Sequence, residues 1–169
     1  AEAGLVPLDA PRRPVVVTEA VEVRDAAPAR WARLDPGDHL RLDVSIAFDH
    51  PALAEQRVVF DAARDDFRYA VAPARTFGRL ADVEAMRAAG RARGAGLHNA
   101  VAYDHAGVVN PEGLRMPDEP CRHKLLDAIG DLALLGGPLR GTLRSHGGGH
   151  ALMVRLLREA VARGALVRG

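Results

Sequence analysis

The segment Leu40-Arg41-Leu42-Asp43-Val44-Ser45-Ile46-Ala47-Phe48 alternates large apolar residues with polar or small ones. Successive strand side chains point to opposite faces, so a β-strand is the element that buries one set and wets the other. One wet face marks an antiparallel sheet covered on a single side. Val15-Val16-Val17 with Ala20-Val21-Glu22-Val23 gives a first β region, and Trp31-Ala32-Arg33-Leu34 a strand closed by the turn Asp35-Pro36-Gly37. Residues 57–60 and 67–72 read as two further strands. Beyond them the spacing turns helical. Leu80, Val83 and Met86 share one face of a helix over Leu80–Ala89, with Gly90 as its C-cap. Val101-Ala102-Tyr103 reads as a strand after the Gly94-Ala95-Gly96 turn. Two helices end the chain: roughly 120–135, stopped by Gly136-Gly137-Pro138, and roughly 149–163, stopped by Gly164. Strands first and helices later predict an α+β domain, a two-layer sandwich of a mostly antiparallel sheet with two helices packed on one face. Residues 1–14, with Pro7, Pro11 and Pro14, read as a linker into a domain over 15–169. Without an initiator Met, they read as the middle of a longer, truncated chain.

Composition excludes several classes. The 23 Lys+Arg nearly cancel 22 Asp+Glu, leaving a net charge of +1, which argues against a nucleic-acid binder. No apolar run reaches the ~20 residues of a transmembrane helix. Hydrophobic residues make up 48% of the 169, enough for a core that needs no disulfide. Cys121, the single cysteine, points to a reducing compartment and a cytoplasmic protein, and is expected as a buried small side chain rather than a reactive thiol. Lys124 is the only lysine.

The chemistry concentrates in the third quarter of the chain and just after it. His123, Asp127 and Asp131 are spaced i, i+4, i+8 and share one helical face, while Leu125, Leu126, Ile129 and Leu132 form the apolar face. An imidazole nitrogen and a carboxylate oxygen one turn apart can reach a common ion such as zinc. A solvated polar face with His–Asp hydrogen bonding accounts for the same spacing. Asp131, a turn further on, is placed to orient another imidazole. His150 opens the last helix, whose N-terminus disfavours a proton on the ring; a carboxylate such as Asp131 favours one, a balance suited to acid–base work. The three glycines between His146 and His150 leave no helix to fix those two as a chelating pair. Thr76, in Ala72-Pro73-Ala74-Arg75-Thr76-Phe77-Gly78, ends a strand, where a hydroxyl either donates to a developing oxyanion or satisfies its own backbone. His39, His50, His98 and His105 lie in turn-like or loop contexts and receive no role.

The run Pro111-Glu-Gly-Leu-Arg-Met-Pro-Asp-Glu-Pro-Cys-Arg-His-Lys-Leu-Leu-Asp-Ala-Ile-Gly-Asp-Leu132 resembles the signature of the UDP-3-O-acyl-N-acetylglucosamine deacetylases, zinc enzymes of lipid A biosynthesis. The segment Ala72 to Gly78, Leu42-Asp43 with Phe48-Asp49-His50-Pro51, and Gly149-His150-Ala151-Leu152 match in family order, so the resemblance covers about residues 1–163. It implies two similar α+β domains facing each other across an active-site cleft, with this chain carrying the second. It implies His123 and Asp127 as two of three protein zinc ligands, His150 as general acid and Asp131 as its orienting group. Thr76 would polarise the amide carbonyl, Phe77 would touch substrate, and Lys124 would lie near the diphosphate of a nucleotide-sugar lipid. Residues 76–104 would be an inserted β-α-β unit shaping a passage for the acyl chain. The third ligand, a histidine, and the glutamate base belong to the family's first domain. The chain alone is therefore expected to bind zinc weakly and to be inactive without that partner domain. Two departures stand out: Gly147-Gly148-Gly149-His150-Ala151-Leu152-Met153 where the family has Lys-Ser-Gly-His-Ala-Leu-Asn, and Gly96-Leu97-His98-Asn99-Ala100 where it has Ser-Leu-Asp-Asn-Ala. Two alternatives stay open. One is a non-catalytic module of the same fold that binds a nucleotide-sugar lipid or a protein; the other is a self-contained metal site of His123, Asp127 and His150.

Overall fold

Strand β8 (Leu139–His146) lies at the heart of a seven-stranded sheet, although Leu139 and Leu143 are its only large apolar residues. The structure, a computed structural model, describes residues 6–25, 29–90 and 93–169. β8 runs parallel to β4 (Leu40–Ile46) and antiparallel to β3 (Trp31–Asp35), and at its first two residues parallel to β1 (Val15–Val17). β2 (Val21–Arg24) adds to β3, β5 (Gln56–Asp61) to β4, and β9 (Leu166–Arg168) to β1, all antiparallel. Four of the six pairings are thus antiparallel, as expected from the alternation in β4. Gly141 marks the junction where β1 leaves β8; its φ is +156°, and a Cβ there would stand 2.5 Å from Val17 Cγ2.

Helices α3 (Glu119–Leu132) and α4 (His150–Ala162) pack on one face of the sheet and on each other, α3 over β4 and β5, α4 over β2 and β3. The reason is their spacing: Cys121, Leu125, Ala128 and Leu132 line one side of α3, and Leu152, Leu156 and Ala160 one side of α4, all buried. They meet Leu34, Leu143 and Leu42, which stand abreast across three strands and are 0% exposed. Burying each such leucine contributes roughly 1.5–3 kcal/mol. α3 runs on as a 3₁₀ turn (Ala133–Leu135) and stops at Gly136, whose φ of 75° needs no Cβ.

Along the chain, between β5 and α3, come α1 (Phe67–Ala70), β6 (Thr76–Arg79), α2 (Leu80–Ala88) and β7 (Ala100–Tyr103). β6 and β7 pair in parallel as a separate two-stranded sheet, the β-α-β arrangement expected over 76–104. Val101 and Tyr103 bury against Leu53 in a small second core, with Phe77 packed beside them.

Three expectations are corrected. Residues 67–72 form a short helix and turn rather than a strand, because the Asp66 carboxylate accepts from Arg68 N at 2.8 Å and caps the first turn. Thr76 begins a strand instead of ending one. β8 and β9 add two strands that the periodicity did not reveal. Of the linker, residues 1–5 lie outside the described residues, and 6–14 carry no helix or strand. Among the described residues no helix is long and apolar enough to cross a membrane.

Candidate active site

α3 presents the site because its apolar residues fix its roll on the sheet. With Leu125 and Ala128 buried, His123 and Asp127 come to the half-buried flank, at 15% and 19% side-chain exposure. His123 Nε2 stands 3.7 Å from Asp127 Oδ1, and Lys124 Nζ donates to Asp127 Oδ2 at 3.1 Å. Burial pushes the His123 ring below its ordinary pKa, opposed by the Asp127 carboxylate. A neutral imidazole results, the form that binds metal. His123 Nδ1 is buried and has no hydrogen-bond partner among the described residues.

A turn further on, Asp131 reaches α4. Its two carboxylate oxygens lie 2.9 and 3.0 Å from Nδ1 of His150, the first residue of that helix. A proton on Nδ1 donates to Asp131 and leaves the other ring nitrogen of this largely exposed imidazole (68%) available to a ligand. A hollow of about 10 Å³ between α3 and the glycine loop is lined by Lys124, Asp127, Asp131, Gly148 and Gly149, so the carboxylate-bearing residue of each pair borders the same place.

Two clefts adjoin it, both walled by Phe48, Asp49 and Lys124. One, of about 610 Å³, also meets Arg30, His146 and the Gly147–Gly149 loop; the other, of about 450 Å³, meets Phe77, Arg79 and Met86. Phe77 makes an edge-on contact with Phe48, centroids 5.7 Å apart, and its ring centroid is 5.9 Å from Lys124 Nζ. The β-α-β unit therefore brings Phe77 to the lysine beside the His–Asp pair. Thr76 is exposed at the start of β6 and makes no side-chain hydrogen bond among the described residues. Among the described residues no group of three or more His, Cys, Asp or Glu is arranged to hold a metal ion.

Sequence reasoning missed Phe48, Arg30 and His146, whose Nδ1 lies 2.9 Å from Ser45 Oγ. Their common wall exists only because β4 and β8 end side by side, Ser45 opposite His146. His50, given no role, is structural: its Nδ1 accepts from Ala52 N at 3.2 Å and caps a 3₁₀ turn.

The sequence model of LpxC, UDP-3-O-acyl N-acetylglycosamine deacetylase, matches residues 1–162. The chain belongs to the LpxC family. It is 47% identical over 161 residues to the UDP-3-O-acyl-N-acetylglucosamine deacetylase of Anaeromyxobacter sp. (strain Fw109-5), a match covering 95% of this chain and 52% of that protein. The proteins of the same name from Chromobacterium violaceum and Wolinella succinogenes are 46% and 43% identical, covering 93% and 94% of this chain and 52% of each relative. The chain thus spans about half the length of the curated LpxC relatives it matches and corresponds to their C-terminal domain.

Proposed function

We propose that this chain is the C-terminal half of a zinc-dependent amidohydrolase that removes acetate from UDP-3-O-acyl-N-acetylglucosamine in lipid A biosynthesis. The observation that carries this reading is the α3 face on which His123 stands beside Asp127 while Asp131 holds His150. A half-buried, neutral imidazole whose Nε2 stands 3.7 Å from a carboxylate oxygen fits zinc as part of a donor set. His123 and Asp127 would hold the ion, with a third ligand and a carboxylate base from the other domain. Bound zinc would supply Lewis acidity to the amide carbonyl and activation of water. The chain's own residues supply the rest. His150, its Nδ1 proton anchored on Asp131, delivers a proton from the opposite ring nitrogen to the departing amine. The Thr76 hydroxyl donates to the carbonyl oxygen as negative charge develops there. Lys124 and Phe77 take the diphosphate and the sugar side of the substrate, and the β-α-β unit takes the acyl chain.

Zinc titration of the purified chain against a chromophoric chelator tests the reading. Two protein ligands predict weak binding that His123→Ala abolishes. Tight binding that survives His123→Ala contradicts it.

A further inference from the structure

Arg75 and Glu119 lie 44 residues apart, yet they form the most buried ion pair among the described residues, with side chains 3% and 0% exposed. Both Glu119 oxygens are fully used. Oε1 accepts from Arg75 N and Nε, each at 2.9 Å; Oε2 accepts from Arg75 Nη2 at 3.2 Å and from Arg115 N at 2.7 Å. Arg75 Nη2 also donates to Gly113 O at 2.8 Å, and Nη1 to Leu97 O at 3.5 Å and to Glu112. One guanidinium thus joins the entry to β6, the loop before β7, the 112–115 loop and the first turn of α3.

We propose that Arg75 and Glu119 are positioning residues whose buried pair sets Thr76 and Phe77 against the helix that carries His123, Lys124 and Asp127. The inference rests on the functional reading above. Arg75 immediately precedes Thr76, and Glu119 stands one helical turn before His123. The apolar contact between the β-α-β unit and the body consists of the small cluster of Leu53, Val101 and Tyr103 and of Phe77, which is only partly buried against the main core. Apolar packing of that extent permits sliding, whereas a planar fork bonded at both carboxylate oxygens admits one register. A buried ion pair is rarely more stabilising than an apolar pair of the same volume, so its worth here lies in geometry.

The single lysine supplies a readout independent of catalysis. Chain grown with ¹³C-lysine gives one side-chain signal, from Lys124, whose ε-methylene is displaced upfield by the Phe77 ring 5.9 Å from Nζ. Phe77→Leu sets the undisplaced position. In the double variant Arg75→Met with Glu119→Leu, and separately in Arg75→Lys, whose added lysine signal is identified by comparison with the same variant carrying Lys124→Arg, the displacement collapses toward that position while a cooperative thermal transition is retained. A folded variant that keeps the wild-type Lys124 signal overturns the proposal, as does a wild-type signal no different from that of Phe77→Leu. If the double variant does not fold, Arg75→Lys, which keeps the charge without the fork, decides by the same criterion. Where a first domain added in trans restores turnover, Arg75→Lys lowers kcat on the order of 10²-fold and raises KM as Phe77 leaves its place; a change in KM alone, with kcat kept, also overturns it. A wild type that never turns over refutes the functional reading and leaves the Lys124 measurement intact.

Discussion

Two glycine-to-alanine changes should move stability in opposite directions. At Gly141 the added methyl would meet Val17 Cγ2 at 2.5 Å and both Val17 Cβ and the Asp35 carbonyl oxygen at 3.0 Å. Neither neighbour can yield: Val17 is 2% exposed in the core, and the oxygen is backbone of β3. Overpacking of this kind costs roughly 1–3 kcal/mol, and a φ of +156° adds about 1–3 kcal/mol for a residue with a Cβ. The sum, roughly 2–6 kcal/mol, is a large share of the ~5–15 kcal/mol that stabilises a typical domain. At ~2–4 °C per kcal/mol for a chain of this length, the thermal midpoint should fall by roughly 4–24 °C. Gly130, inside α3, is exposed, and a Cβ there meets nothing within 4 Å. Gly130→Ala should therefore stabilise by about 0.5–1 kcal/mol through lost chain entropy, raising the midpoint by roughly 1–4 °C. Thermal melts and urea titrations followed by far-UV circular dichroism read both. The reasoning is refuted if Gly141→Ala stays within ~0.5 kcal/mol of wild type, the range of an ordinary surface change, or if both variants shift the same way.

Arg75→Ala strands the Glu119 carboxylate at 0% exposure without its cation, and should cost about 3–5 kcal/mol in a urea titration; a loss under ~1 kcal/mol contradicts the pair's burial. Burial raises the Cys121 thiol to about 11 and the Tyr103 phenol to about 12. The thiol should resist alkylation at pH 8 until urea exposes it; rapid labelling of the native chain contradicts this. Both groups bind their protons more tightly folded than unfolded, so their contribution is complete below the unfolded-state values of about 9 and 10 and is lost as pH rises toward 11–12. The urea midpoint should accordingly fall across that alkaline window, and a flat profile counts against the burial argument. Nitrogen-15 spectra should show the neutral His150 ring protonated at Nδ1 in the wild type, with that preference lost in Asp131→Ala; an unchanged tautomer would show that Asp131 does not orient it.

The elements legible in the sequence are those whose spacing carries their own burial. β4 declared itself by alternation, and α3 and α4 by their leucines, because one face of each meets the core directly. β8 did not, since its buried positions are Leu139, Gly141, Leu143 and Ser145, and two of the four are too small to register as apolar. At Gly141 a side chain is excluded because Val17 of β1 and the Asp35 carbonyl of β3 crowd the strand, which is tertiary information. Residues 67–72 misled in the opposite sense: Phe67, Tyr69 and Val71 alternate like a strand, but the Asp66 cap turns the chain into a helix. The site divides in the same way. His123, Asp127 and Asp131 share a helix, so their grouping was readable from spacing, and His150 joined them through the family pattern. Arg75 with Glu119, and Arg30 with His146, meet only after the sheet is assembled.

The central claim, that this chain contributes His123, Asp127 and His150 to a deacetylase completed by another domain, is tested most directly by complementation. The chain, with zinc, would be mixed with a separately made first domain of the Anaeromyxobacter relative, and acetate release from UDP-3-O-acyl-N-acetylglucosamine would be measured. The account predicts release from the mixture, none from either part alone, and none with His123→Ala. A mixture that stays silent while the relative's own two halves recombine to an active enzyme would contradict it.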